Sequence, residues 1–216
     1  MSDMLIQGTL ETLYMVAVST LFTILLGMPL GILLAVTSKG HISENLKLNS
    51  VLSYIINLTR SLPFIILMIF IIPFTRLLVG SSIGTNAAIV PLVCAAIPFF
   101  ARVVENAIYE VDGGVIEAAL AMGASNRDII LKVLIPETLP SLILGITLTV
   151  INLLGYSAMA GAVGGGGIGD LAIRYGYHRF QTDVMLMTVI ILIAMVQIIQ
   201  STGQFFANRL LRKRGR

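Results

Sequence analysis

Ser53, Asn57, Arg60 and Ser61 fall at i, i+4, i+7 and i+8, so on a helix they share one face. Two hydroxyls, an amide and a guanidinium are groups that solvate a polar solute rather than break a bond. They lie in an otherwise apolar run, where a charge at the helix centre costs about 2.5–3.5 kcal/mol on insertion scales, so such groups tend to face a cavity or another protein element. The stripe therefore reads in two ways. It lines an aqueous vestibule, or the span begins later, near Leu62, and the stripe is an interfacial amphipathic turn. A second set, Asn152, Tyr156, Ser157 and Met159, lies where another apolar run gives way to Gly155-Tyr156-Ser157-Ala158-Met159-Ala160-Gly161. Small residues weaken a helix there, and broken backbone at membrane depth is tolerated only against protein or a water-filled cavity. These four are pathway candidates, with small-residue packing between two copies as the other reading. Arg102, Glu105 and Glu110 close a helix end and form ion pairs; nothing about them suggests catalysis.

A third set is built to be touched by a partner. Val115 to Met122 reads as a short helix with Glu117 in its first turn, where a carboxylate favours the positive helix end, and Gly123 is placed to end it left-handed. Ser125 with Asp128 reads as a capping box opening a second helix, supported by Asp128 and Lys132 at i,i+4. Pro136 and Pro140 lack the donor a helix interior needs, so that second helix is expected to stop or kink there. Ala118, Ala119 and Gly123 leave room for close approach. Glu117, Arg127, Asp128 and Lys132 supply less charge than a merely solvated loop usually carries. The plainer alternative is an ordinary amphipathic connector.

Glu117-Ala118-Ala119, three residues, Gly123, nine residues, then Val133-Leu134-Ile135-Pro136 resembles the EAA loop of ABC-importer permeases, with Val133 and Ile135 replacing the family's isoleucine and leucine. Both replacements keep apolar bulk. Arg60-Ser61-Leu62-Pro63-Phe64-Ile65-Ile66-Leu67, Ile72-Pro73-Phe74-Thr75-Arg76, Ala101-Arg102-Val103-Val104-Glu105-Asn106-Ala107 and Gly155-Tyr156-Ser157-Ala158-Met159 resemble the methionine-importer permeases, so the likeness covers nearly the whole chain. The resemblance implies the all-α, type I ABC importer permease fold. It also implies a loop seated in a cleft of an ATPase subunit, with Ala118, Ala119 and Met122 inserting, Glu117 making a polar contact and Gly123 turning. Val133, Ile135 and Pro136 complete that docking set. Its expected partners are a second copy of the chain, two ATPase subunits that hold the ATP and Mg, and a substrate-binding protein on the external face. The implied cargo is methionine, D or L; permeases for other small amino acids or phosphonates share the loop.

These residues need membrane helices to hold them. Of 216 residues, 56% are hydrophobic and 12% charged, outside the usual globular composition and inside the membrane class. Spanning hydrocarbon takes about 20 apolar residues. Five runs qualify, at 13–36, 51–73, 87–104, 139–160 and 184–206, with a cytoplasmic loop over 105–137 and one transmembrane domain over 1–216. Met1 to Thr12 carries no Lys or Arg and the run after it is long, so the start is not a typical signal peptide and remains as the first span. Placing the C-terminus in the cytoplasm puts eleven basic residues inside (Lys39, Lys47, Arg60, Arg102, Arg127, Lys132, Arg209, Arg212, Lys213, Arg214 and Arg216) against Arg76, Arg174 and Arg179 outside. The N-terminus is then external and the protein multi-pass in a bacterial inner membrane. The net charge of +3 comes largely from the tail, a topology anchor and anionic-lipid contact rather than a nucleic-acid site.

Several motifs fail their physical test. Gly164-Gly165-Gly166-Gly167-Ile168-Gly169 fits G-x-G-x-x-G, but a membrane run precedes it where a dinucleotide site needs a strand. No G-x-x-x-x-G-K-[ST] occurs, so ATP hydrolysis belongs to another chain. His41 and His178 lack companions at ligand spacing, so no metal site is expected. Cys94 alone forms no intrachain disulfide, and ten methionines are routine apolar packing rather than a sign of the cargo. An ion-coupled secondary transporter, the rival class, commonly shows paired repeats with broken helices, and only one broken segment is legible.

Overall fold

A computed structural model describes residues 2–213, and every regular element among them is helical. Arg214 and Arg216 of the basic tail lie outside the described residues. Four unbroken helices are long and apolar enough to cross a membrane: α1 (Ser2–Thr37), α5 (Thr85–Tyr109), a continuous rod over Asn126–Gly161, and Thr182–Arg212 of α10 (Thr182–Lys213). α1 starts at Ser2, so the expected first span is the later part of a 36-residue helix. At about 1.5 Å per residue it is about 54 Å long, against a hydrocarbon layer of about 30 Å, and must project or tilt.

The second span departs from expectation. In place of one helix over 51–73, α2 (Leu46–Arg60) and α3 (Phe64–Phe70) meet at a 101° bend, and α4 (Ile72–Val79) follows. Pro63 causes the break. It has no N–H to continue the ladder and disfavours helical backbone at Leu62 before it. Pro63 itself is extended, with φ −57° and ψ 136°. The opposite correction applies to Pro136 and Pro140, where the helix continues. α7 (Asn126–Asp128) runs into a π-helical stretch, Ile129–Leu134, and then into α8 (Ile135–Gly161). The wider turn re-registers the hydrogen bonds so that Pro136 falls in the first turn of α8, where its missing donor costs least.

Small residues set how closely the spans approach. A Cβ on Gly31 of α1 would lie 2.5 Å from the Ala101 carbonyl oxygen of α5, and one on Gly27 3.0 Å from the Phe100 ring. With Ser19 and Thr23 they form a stripe spaced by four, through which α1 lies along α5. The Ser19, Thr20 and Thr23 hydroxyls buried in α1 have no hydrogen-bond partner among the described residues. Gly145 of α8 likewise admits Val103 of α5, and Gly203 of α10 admits Thr147.

The core has two main parts. One gathers Met15, Leu92, Leu153, Ile168 and Phe64 toward the glycine-rich connection. The other, at the opposite end, gathers Phe100, Ile108, Ala119, Ile129 and Leu134. This second cluster anchors the segment between α5 and α8 onto the membrane helices.

Candidate functional site

Between α5 and the rod, α6 (Gly113–Ala121) stands at one end of the molecule. It begins two residues earlier than the sequence suggests. Asp112 caps it, its carboxylate accepting from the Gly114 amide at 2.7 Å, so Glu117 lies two residues further in and Asp112 meets the positive helix end. At the other end the Ala124 amide donates to Ala119 O (3.1 Å) and the Gly123 amide to Leu120 O (2.9 Å). This is a Schellman closure, and it needs Gly123 left-handed; its φ is +79°. Ser125 then caps α7, accepting from the Asp128 amide at 3.2 Å while its hydroxyl meets the Asp128 carboxylate at 2.5 Å. Lys132 pairs with Asp128 at 2.6 Å. The Asn126 side-chain Nδ2 donates to Ile42 O (3.1 Å) and Ser43 Oγ (2.9 Å), tying this turn to the α1–α2 connection. At the end of α5, the Ser141 hydroxyl donates to Glu110 at 2.8 Å.

The expected docking residues divide by face. Val115, Ala118 and Met122 are exposed at i, i+3 and i+7, with Met122 82% exposed, and Glu117 is exposed beside them. Ala119 is a correction: it is 4% exposed, covered by Ile108, Ile129 and Leu134, and so cannot insert into a partner. Its small side chain serves the Schellman closure, where it and Ala124 join the same cluster. Val133 packs on that cluster, and Ile135 and Pro136 are half-buried, so these three are less open than Val115, Ala118 and Met122. Val115, not among the candidates, completes the exposed apolar stripe. Its spacing from Ala118 and Met122 was the available signal.

The pathway candidates divide similarly. Ser157 is a second correction, being 2% exposed with its hydroxyl donating to Leu154 O (2.8 Å), so it faces the core. Tyr156 stacks on Phe64 of α3, centroids 4.6 Å apart and planes 8° apart, which fastens the broken span to α8. Leu144, Leu148, Gly155 and Met159 are exposed along one face of α8, with Asn152 half-buried among them. Leu148 and Leu144 escaped sequence reading because nothing in the sequence says which helix face neighbours leave uncovered.

On α2, Asn57, Arg60 and Ser61 are exposed and Ser53 half-buried. A network ties this face to α5. Arg102 pairs with the buried Glu105 at 2.6 Å, Tyr109 donates to Glu105 at 3.1 Å, and the other Arg102 amino group donates to Asn57 Oδ1 (3.1 Å) and Ser53 O (3.3 Å). Arg102 lies seven residues before the end of α5, and Arg60 is the last residue of α2.

At the far end, the glycine run is a packing device. The Gly167 amide donates to Glu11 (2.8 Å) and the Ile168 amide to Thr12 (2.9 Å) at the start of α9 (Gly167–Leu171). A π-helical stretch, Ala172–Tyr177, then leads toward α10.

Residues 27–213 match the sequence profile of the binding-protein-dependent transport system inner membrane component family. The chain is 52% identical over 208 residues to the probable D-methionine transport system permease protein MetI of Vibrio cholerae, covering 96% of this chain and 92% of that one. It is 48% identical to the methionine import system permease protein MetP of Bacillus subtilis, covering 94% and 91%. A solved structure of the inward-facing MetNI methionine ABC transporter superposes with TM-score 0.96 at 48% identity over 97% of each chain. An amino acid ABC transporter structure matches at TM-score 0.79 and 18% identity, covering 96% of this chain and 94% of that one, a likeness of fold alone.

Proposed function

The chain belongs to the family of binding-protein-dependent transport system inner membrane components, and from that premise we propose that it is the permease subunit of an ATP-driven methionine importer. It is a multi-pass inner-membrane protein and a transport subunit, not itself the ATPase. Two copies form the path, two ATPase subunits dock below, and a binding protein delivers cargo from outside.

The observation that carries this reading is the α6 hairpin. Its base is fixed in the core by Ala119, Ile129 and Leu134, and its outer face offers Val115, Ala118 and Met122. A rigid base and an exposed apolar face can transmit a push from a partner into α5 and α8. Glu117 and Gly123 supply the polar contact and the turn; Val133, Ile135 and Pro136 complete the docking set. ATP and Mg act in the partner, with no cofactor in this chain. Residues 1–216 act as one transmembrane domain, with the N-terminus external and the C-terminus and the 105–137 segment cytoplasmic. Asn57, Arg60, Ser61, Asn152 and Met159 line the path with Ser53 at its edge, and Tyr156 holds the α3–α8 contact beside it.

Reconstitution tests the reading. The chain with its ATPase and binding protein in proteoliposomes should take up labelled L- and D-methionine only with ATP, with no rise for other amino acids. Uptake driven by an ion gradient without ATP would refute it.

A further inference from the structure

We propose that Arg60 and Asn57 form a way station inside the membrane for the carboxylate of the amino-acid cargo. This rests on the permease reading and deepens it by naming the cargo group that the path recognises.

Depth comes first. Asn57 is held by Arg102, which lies seven residues before the end of α5 at Tyr109, about 10 Å along the helix. Phe64, the first residue of α3 across the 101° break from Arg60, stacks on Tyr156 of α8 and joins the cluster of Met15 and Leu92. Arg60 ends α2 at the break of a bent helix pair that is long and apolar enough to cross a membrane only when α2 and α3 are taken together, which places it in the middle of that span. It is exposed, and has no ion-pair or hydrogen-bond partner among the described residues, whereas Arg102, Lys132 and Arg174 each pair with an acid. A guanidinium at that depth cannot face lipid cheaply, so its face is a water-filled path.

The neighbour of Arg60 is oriented for the same task. An arginine only donates, so the Asn57 atom facing Arg102 must be its carbonyl oxygen. That leaves the Asn57 NH2 group, three residues before Arg60 on the same face, with two donors unspent. Buried Glu105 in turn fixes Arg102. The Ser61 hydroxyl is turned back to Asn57 O at 2.8 Å and is spent on the last turn of α2. What remains is a guanidinium beside an amide donor at a break in the span, with the neighbouring Glu105 carboxylate already taken up by Arg102 and Tyr109. That pair takes a carboxylate and repels cations. Both donors are solvent-exposed, so the hold is weak, as a transit site requires.

The test uses the complete transporter in proteoliposomes with its loaded binding protein, reading labelled methionine uptake and ATP hydrolysis together. Arg60→Gln should lower uptake about tenfold, a markedly larger fall than in binding-protein-stimulated hydrolysis, so that the methionine imported per ATP drops. Arg60→Lys, which restores the charge, should recover at least half of the uptake, and Asn57→Leu should fall between. A structural role would move uptake and hydrolysis together, and that result overturns the proposal, as does equal loss in the Lys and Gln variants. Normal import by Arg60→Gln with an ion leak would make Arg60 a cation barrier and equally refute a carboxylate site. A wild-type complex that hydrolyses ATP but imports no methionine removes the permease reading and this proposal with it; an active wild type with an indifferent Arg60→Gln removes the proposal alone.

Discussion

Gly123 gives the sharpest prediction, because its cost is set by backbone alone. A Cβ added there meets no atom within 4 Å, so no clash contributes, but its φ of +79° is one that L side chains rarely adopt. Left-handed backbone costs an L residue about 1–2 kcal/mol, less for asparagine, and a β-branched side chain is a more severe outlier. A penalty of 1–2 kcal/mol is roughly a 5–30-fold change in a two-state ratio. If the Schellman closure presents the α6 face, coupling should fall in the order Gly, Asn, Ala, Val. The assay is ATP-driven uptake and co-purification of the ATPase, with membrane insertion measured alongside. Gly123→Asn should keep most activity, Gly123→Ala should lose several-fold, and Gly123→Val should largely uncouple a chain that still inserts. Equal activity for the asparagine and valine variants would refute the reasoning, since only φ distinguishes them at an otherwise open site.

Four further outcomes follow from burial and pairing. Ala118→Phe should leave the melting temperature nearly unchanged and weaken ATPase co-purification, whereas Ala119→Phe should overpack the cluster, cost about 1–3 kcal/mol and lower the melting temperature. Arg102→Met leaves Glu105 buried without its partner, a loss of about 3–5 kcal/mol for a buried pair at most; adding Glu105→Leu should restore much of the thermal stability. Thr23→Val removes a buried hydroxyl that has no partner and should leave stability equal or raised in a detergent melt. Burial holds the His41 imidazole below its ordinary pKa of about 6.5, so the unfolded turn takes up the proton first as pH falls. The stabilising effect is complete above about pH 6.5 and lost below it. Hydrogen-exchange protection factors over 38–45, corrected for the intrinsic rate at each pH, should fall from pH 7.5 to 5.5 more in wild type than in His41→Gln.

Five apolar runs, the glycine ending α6, the Ser125 cap and the Asp128–Lys132 pair were legible in the sequence because each depends on neighbours within a few positions. Hydrocarbon length, left-handed backbone and helix capping are local constraints, and residue type states them directly. Pro63 carried a local signal too, yet the apolar run around it reads as one span; the 101° turn is visible only in three dimensions. Tertiary structure alone decided which side of each helix is covered. Ala118 and Ala119 are adjacent and chemically identical, but Ile108, Ile129 and Leu134 bury the second and leave the first exposed. Ser157 turns inward while Gly155 and Met159 face out, and Arg102 reaches 45 positions back to fix Asn57. Helical periodicity fixes which residues share a face; long-range packing fixes what that face meets.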